Sequence, residues 1–261
     1  MAETGHSGGP SYNALVSIYA QKFQRAMKRT LPTHRARARE YHDLVTGGSG
    51  NGGADACELL ELAERNEIAP CVLARLVLEV HVELNHRTLY AHQQVASKLV
   101  TQMLRQPALI QDASLRAQVD DCVRFDDNYS PLVEKLRHSI GTEYEYLLQT
   151  RLRNMRIPFL SEDELVASGY PKTPDIKFEV PLLLDGQHVV NWIESKATFG
   201  DPDTMAASLT EQFAAYCNRY GTGLVIYWFG FVEPPATASA SGVVFRASLP
   251  RRRHWTTMRG Q

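Results

Sequence analysis

The dipeptide Asp185-Gly186 constrains this chain more than any other feature. It lies between two β-rich apolar runs, Phe178 to Leu184 and Val189 to Ile193. Both central residues of a tight hairpin turn need positive φ, which Asp and Gly tolerate, so the segment is predicted to be a β-hairpin with a two-residue loop. In that register Asp175 falls opposite Lys196 and Lys177 opposite Glu194. Side chains alternate faces with period two, so residues 175, 177, 194 and 196 all point the same way. Asp175 and Glu194 become diagonal neighbours about 7–8 Å apart, within reach of one cation.

Those residue types suit phosphodiester hydrolysis. A hard cation polarises the phosphoryl oxygen and lowers the pKa of a bound water. Mg²⁺ needs only one or two carboxylates because it keeps several waters. A nearby lysine orients the water or neutralises charge on phosphorus. An acid-x-Lys triplet alone is weak, since Asp175-Ile176-Lys177 is another. A solvated hairpin face with cross-strand ion pairs would look similar. The context favours a site, because charges at the end of an apolar strand need a reason.

Pro174-Asp175, a spacer of 18 residues and Glu194-Ser195-Lys196 resemble the PD-(D/E)xK nuclease superfamily. Gly141 to Leu152 resembles its first core helix. Glu145, four residues after Gly141, resembles a metal-site glutamate there, with Glu143 the second choice. Gln212-Phe213-Ala214-Ala215-Tyr216 is similar to the Q-x-x-x-Y helix of some members. Tyr170 to Asp175 carries the Thr-Pro-Asp signature. With Trp192–Asp201, Gly223–Phe231 and Ile68–Glu79, it resembles the Thr-Pro-Asp branch, the codanin-interacting nucleases of animals. This resemblance runs from about residue 12 to about 250.

The resemblance implies Asp175, Glu194, the Ser195 backbone carbonyl and Glu145 around Mg²⁺, with Mn²⁺ as a substitute. It implies Lys196 on the attacking water, and Gln212 and Tyr216 orienting Lys196 or a phosphate. It further implies a metal-dependent nuclease acting on nucleic acid, DNA foremost, with codanin as partner. The expected location is the nucleus with some cytoplasm, and the expected role is erythroid DNA or chromatin processing. Two other functions stay open: an inactive nuclease fold that binds codanin, and a helix-turn-helix DNA-binding regulator.

An α/β fold is expected, with a helical first half and an αβββαβ core with a mixed sheet. Residues 1–11 are expected to be disordered, 12–137 helical, 138–250 the nuclease domain and 251–261 a basic tail. Helices are predicted at 12–29, 56–66, 70–84, 92–105, 112–124, 140–154 and 204–219. Strands are predicted at 156–160, 175–184, 187–197, 223–231 and 242–249. Ser161-Glu162-Asp163-Glu164 reads as a capping box. Residues 47–53 form a glycine-rich loop. Helices 56–66 and 70–84 look like either a helix-turn-helix or a bundle hairpin. Trp228 and Phe229 read as core.

The net charge of −1 does not advertise a nucleic-acid binder. Yet Lys22, Arg25, Lys28, Arg29, Arg35, Arg37 and Arg39 run without an intervening acid, and this stretch is a candidate phosphate-contacting face. Arg251-Arg252-Arg253 reads more weakly, as a phosphate contact, a nuclear import signal or a disordered tail. Cysteines 57, 71, 122 and 217 are scattered, which suggests reduced thiols. The spacing of His81, His86 and His92 suits no zinc site. No apolar run is long enough to span a membrane.

Overall fold

The computed structural model describes residues 9–47, 58–85, 93–233 and 241–257. Most of the glycine-rich loop, most of the alanine/serine loop near 234–242, Cys57, His86 and His92 lie outside them. Two compact units are present. One comprises Ala20–Arg137; the other comprises Met1–Tyr19 with His138–Gln261.

Helices make up the first unit. The C-terminal part of α1 (Tyr12–Ala36) is followed by α2 (Ala38–Thr46), α3 (Leu59–Arg65), α4 (Pro70–Asn85), α5 (Gln93–Arg105) and α6 (Ala113–Phe125). Asp112 caps α6 by accepting the Leu115 N–H, as an N-cap aspartate should. α4 is the centre of the bundle, packed by α2, α3, α5 and α6. Its Leu73, Ala74, Leu76, Val77, Leu78 and Val82 join Tyr41, Leu59, Val100, Ile110, Leu115 and Val119 in one core.

This arrangement corrects the helix-turn-helix alternative. α3 and α4 do flank a short turn, but no residue of α4 from Pro70 to Val82 is exposed. A recognition helix must lay an open face in the major groove, and over residues 70–82 α4 has buried and half-buried residues but none that is exposed. It is a bundle hairpin.

The second unit is α/β, as expected. α7 (Pro131–Asn154) begins nine residues before the predicted start of its helix. β1 (Phe159–Ser161) and α8 (Glu162–Ala167) follow, joined by a complete capping box between Ser161 and Glu164. Then come β2 (Ile176–Leu184), β3 (His188–Lys196), α9 (Pro202–Ser208), a π-helical segment Leu209–Phe213 and α10 (Ala214–Tyr220). β4 (Gly223–Tyr227), β5 (Val243–Arg246) and β6 (Trp255–Thr257) complete the sheet.

The sheet order is β1-β2-β3-β4-β5, with β6 also on β2. β2 and β3 are antiparallel, whereas β3, β4 and β5 run parallel. β4 is buried throughout and central, as its apolar sequence implied. On one face Leu148 and Leu152 of α7 cover Ile176, Phe178, Ile193, Leu224 and Ile226. On the other, Met205, Leu209, Phe213 and Tyr216 cover Trp192, Val225, Tyr227 and Phe245.

The hairpin departs from its predicted register. Asp185 and Gly186 both have positive φ, as expected. Pairing resumes at Leu184↔His188, leaving Gln187 in the loop, and slips again to Lys177↔Trp192. Glu179, Val180 and Pro181 bulge out, exposed, between the two registers. Pro181 has no N–H to give a ladder, so the strand breaks there. β2 also changes outer neighbour at the break, from β1 to β6.

Candidate active site

The slipped register brings Asp175 closer to Glu194 than the sequence suggested. Ile176 pairs with Ile193, so one further step puts Asp175 directly opposite Glu194 instead of diagonal to it. Both point to the face that carries Trp192 and Phe213. The Ser195 N–H donates to Asp175 Oδ2 at 2.6 Å. The expected cross-strand pairs, Asp175 with Lys196 and Lys177 with Glu194, do not form. Lys196 Nζ instead donates to Glu194 Oε1 at 2.7 Å, and Lys177 Nζ lies 3.5 Å from the Phe178 carbonyl.

Gln212 organises this cluster. Its Oε1 accepts from Lys196 Nζ at 2.9 Å. Its Nε2 donates to Glu194 Oε1 at 2.7 Å and to the Tyr216 hydroxyl at 2.9 Å. Tyr216 in turn donates to the Thr173 carbonyl at 2.8 Å. Gln212 lies in the π-helical segment, a wide turn of the kind that collects at functional sites. One asymmetry results. Glu194 is only 4% exposed; its Oε1 accepts two hydrogen bonds, yet its buried Oε2 has no partner.

Electrostatics follow from this crowding. Desolvation, then the Glu194 charge, pushes the Asp175 carboxyl well above the usual aspartate range. Burial raises Glu194 too, opposed by Lys196 and Gln212. Glu145 on α7 is raised by burial and by the Glu162 charge. Burial also raises the Tyr216 phenol, so it acts here as a neutral hydrogen-bonding group.

The donor set suits a hard cation. A buried carboxylate oxygen without a hydrogen bond, facing a second carboxylate, is what a divalent ion would satisfy. Asp175, Glu194 and the neighbouring Ser195 carbonyl could hold it. Among the described residues, no group of three or more His, Cys, Asp or Glu is gathered closely enough to do so. Glu145 is therefore an electrostatic neighbour in this geometry, its carboxyl not clustered with the other two. Mg²⁺ tolerates so few protein ligands because water completes its shell.

Three contributors escaped the sequence analysis. Trp228 packs on the α7-side core, but its indole also donates to Ser195 Oγ at 2.8 Å and its backbone N–H to the Lys196 carbonyl at 3.0 Å. Glu162 donates its N–H to the Asp175 carbonyl and accepts from Thr173 Oγ1 at 3.2 Å. Its place in the capping box was legible; its reach to the Thr-Pro-Asp loop was not. Ser17 of α1 accepts from the Phe199 N–H at 2.9 Å and shares a hydrogen bond with Thr198 at 2.8 Å. No sequence pattern signals a contact of such long range.

The basic run is less uniform than its sequence. In the helical unit Arg35 pairs with Glu79 at 3.7 Å and Arg39 with Asp43 at 3.7 Å. Arg37 forks onto Glu40 at 2.8 Å, reaches Asn66 and stacks over Tyr41. These three arginines serve the bundle. Lys22, Arg25, Lys28 and Arg29 lie together on α1, and of these only Arg25 is not exposed.

Comparison with known proteins gives a consistent picture. The chain is 41% identical over 244 residues to the Mus musculus protein named "CDAN1-interacting nuclease 1", covering 92% of this chain and 84% of that one. The Homo sapiens protein of that name is 40% identical over 245 residues, with the same coverage. The Danio rerio protein is 39% identical over 240 residues, covering 91% and 78%. No solved structure matches the chain. The family described as "Protein of unknown function TPD sequence-motif" matches residues 111–248, which include Asp175, Glu194, Lys196, Gln212 and Tyr216. With that match and relatives of this similarity, the chain belongs to the TPD sequence-motif family.

Proposed function

We propose that this protein is a divalent-metal-dependent nuclease that hydrolyses phosphodiester bonds of nucleic acid, DNA foremost, and that it binds codanin. The observation that carries the chemistry is Glu194, a buried carboxylate opposite Asp175, with one oxygen clamped by Lys196 and Gln212 and the other bare. A buried carboxylate oxygen without a hydrogen-bond partner is costly unless something else occupies the site in use. The codanin assignment rests on the printed names of the relatives.

Asp175, Glu194 and the Ser195 carbonyl would hold Mg²⁺ or Mn²⁺. The cation would polarise the phosphoryl oxygen and acidify a water. Lys196 orients that water and offsets charge growing on the phosphoryl oxygens. Gln212 holds Lys196 at a fixed place, and Tyr216 fixes Gln212 against the Thr173 carbonyl. Glu145 adds negative potential on the α7 side and would anchor a water of the cation's shell. The nucleus, with some cytoplasm, is the proposed location.

The test is cleavage of labelled linear and branched DNA and RNA with Mg²⁺, Mn²⁺ or chelator, for the wild-type protein and Asp175→Asn. Metal-dependent cleavage lost in the variant supports the proposal. Equal cleavage by both proteins, or none by either, overturns it. An inactive wild-type protein that still captures codanin would leave a binding scaffold.

A further inference from the structure

Arg251, Arg252 and Arg253 do not behave as a loose basic tail. Arg252–His254 form a 3₁₀ turn that docks beside the β2–β3 hairpin, and the Asp185 N–H donates to the His254 carbonyl at 2.9 Å. Asp185, though exposed, is bonded to this turn. Its carboxylate accepts from Arg246 Nη2 at 3.1 Å and meets His254 Nδ1 at 2.6 Å. Arg253 Nε donates to His254 Nε2 at 3.2 Å. The imidazole therefore bridges Arg253 and Asp185.

The charge balance is one-sided. Arg246, Arg251, Arg252 and Arg253 bring four guanidiniums, and of these Arg246 meets the Asp185 carboxylate. The hydrogen bond from His254, then Arg246, holds Asp185 below its usual range, so it stays ionised and is fully used. Arg252 Nη1 is spent on the Trp255 carbonyl at 2.7 Å, which fixes the turn. Arg251 and Arg253 remain exposed on an ordered scaffold. In a chain of net charge −1, this is a local cationic knob.

We propose that this knob is a phosphate-backbone anchor for a duplex arm of the nucleic-acid substrate. The inference rests on the proposed nuclease activity and adds a second point of attachment to it. β2 and β3 carry the cation-site residues at one end and this turn at the other. At about 3.3 Å per residue, the nine residues of β2 separate the two ends by roughly 25–30 Å. At about 3.4 Å per base pair, that is roughly eight base pairs. Guanidiniums without base-reading partners recognise phosphate geometry and carry no sequence preference. The anchor would measure out a duplex flank and read none of its bases.

The test compares wild type with Arg251→Gln/Arg253→Gln; Arg252 is kept because it fixes the turn. Binding of labelled 6-base-pair and 16-base-pair duplexes is measured with Ca²⁺, across salt concentrations. Unchanged thermal midpoints confirm that the variant is folded. For the longer duplex, the slope of log K against log salt should become shallower by roughly 1.8 in the variant, about 0.9 for each phosphate no longer neutralised. The slope for the short duplex should not change. Equal slopes for both proteins on both duplexes overturn the anchor, while cleavage in Mg²⁺ would leave the nuclease activity standing. Loss of codanin capture with unchanged duplex binding also overturns it and assigns the knob to protein recognition. Failure of the wild-type protein to bind or cleave either duplex removes both proposals.

Discussion

Glu194 is held at one oxygen and bare at the other, and that difference separates its role from that of Lys196. Glu194→Gln and Asp175→Asn should each lower cleavage at least ~10²-fold, as loss of a preorganised electrostatic group does, and both should weaken Mn²⁺ binding measured by calorimetry. Lys196→Ala should lose cleavage to a similar degree and keep Mn²⁺ binding, since its ammonium contacts Glu194 Oε1 and Gln212, not the bare oxygen. Lost Mn²⁺ binding in that variant would show that Lys196 shapes the cation site. Asp175→Asn should also stabilise the metal-free protein, on the order of 1 kcal/mol, because it removes a desolvated charge opposite a like charge while its amide oxygen can still accept from Ser195. A lower urea midpoint would contradict this. The common face of residues 175, 194 and 196 was legible, since strand alternation alone assigns it. The partner of Lys196 was not, because Pro181 resets the register and no period-two count anticipates a bulge.

At the scale of elements, the local signals that survived were those with their own chemistry. The capping box and the Asp185-Gly186 turn appear where the residues demanded them. The last turns of α1 and all of α2 went unseen, because the predicted helix stops at 29 whereas α1 runs on through Pro32 to Ala36 and only Arg37 separates it from α2. β6 went unseen because three residues beside an arginine triplet carry no periodicity; it exists through its pairing with β2. The helix predicted at 204–219 is interrupted by its π segment, which places Gln212 over the site. Gly223 gives this scale its prediction. It pairs with Trp192 across β3 and β4, and an added Cβ would lie 2.1 Å from the indole. Gly223→Ala should cost about 1–3 kcal/mol by overpacking, read as a lower urea midpoint. It should also reduce cleavage, because Trp192 precedes Glu194 by two residues on the same face. A variant of unchanged stability and activity would mean that the indole can move without disturbing the strand.

At the scale of the whole molecule, the charge of −1 conceals an uneven distribution. Carboxylates concentrate around Asp175, arginines around the far hairpin, and lysines and arginines on α1. The sequence presented the seven basic residues between 22 and 39 as one stretch. The structure separates them, because Arg37 meets Glu40 and Arg39 meets Asp43 one helical turn on, and Arg35 meets Glu79 far along the chain. A test of the helical unit should therefore leave those three intact, since Arg37 also braces Tyr41 and Asn66. Lys22→Gln/Lys28→Gln/Arg29→Gln should weaken duplex binding at low salt and flatten the salt slope by roughly 0.7–0.9 for each phosphate that the variant no longer neutralises. Cleavage at saturating substrate should stay near the wild-type rate, because such ion pairs bind ground and transition states alike. An unaltered slope together with failed codanin capture would assign α1 to the protein partner. Substrate recognition would then belong to the sheet unit alone, and Arg251 and Arg253 would be its principal hold on the phosphate backbone.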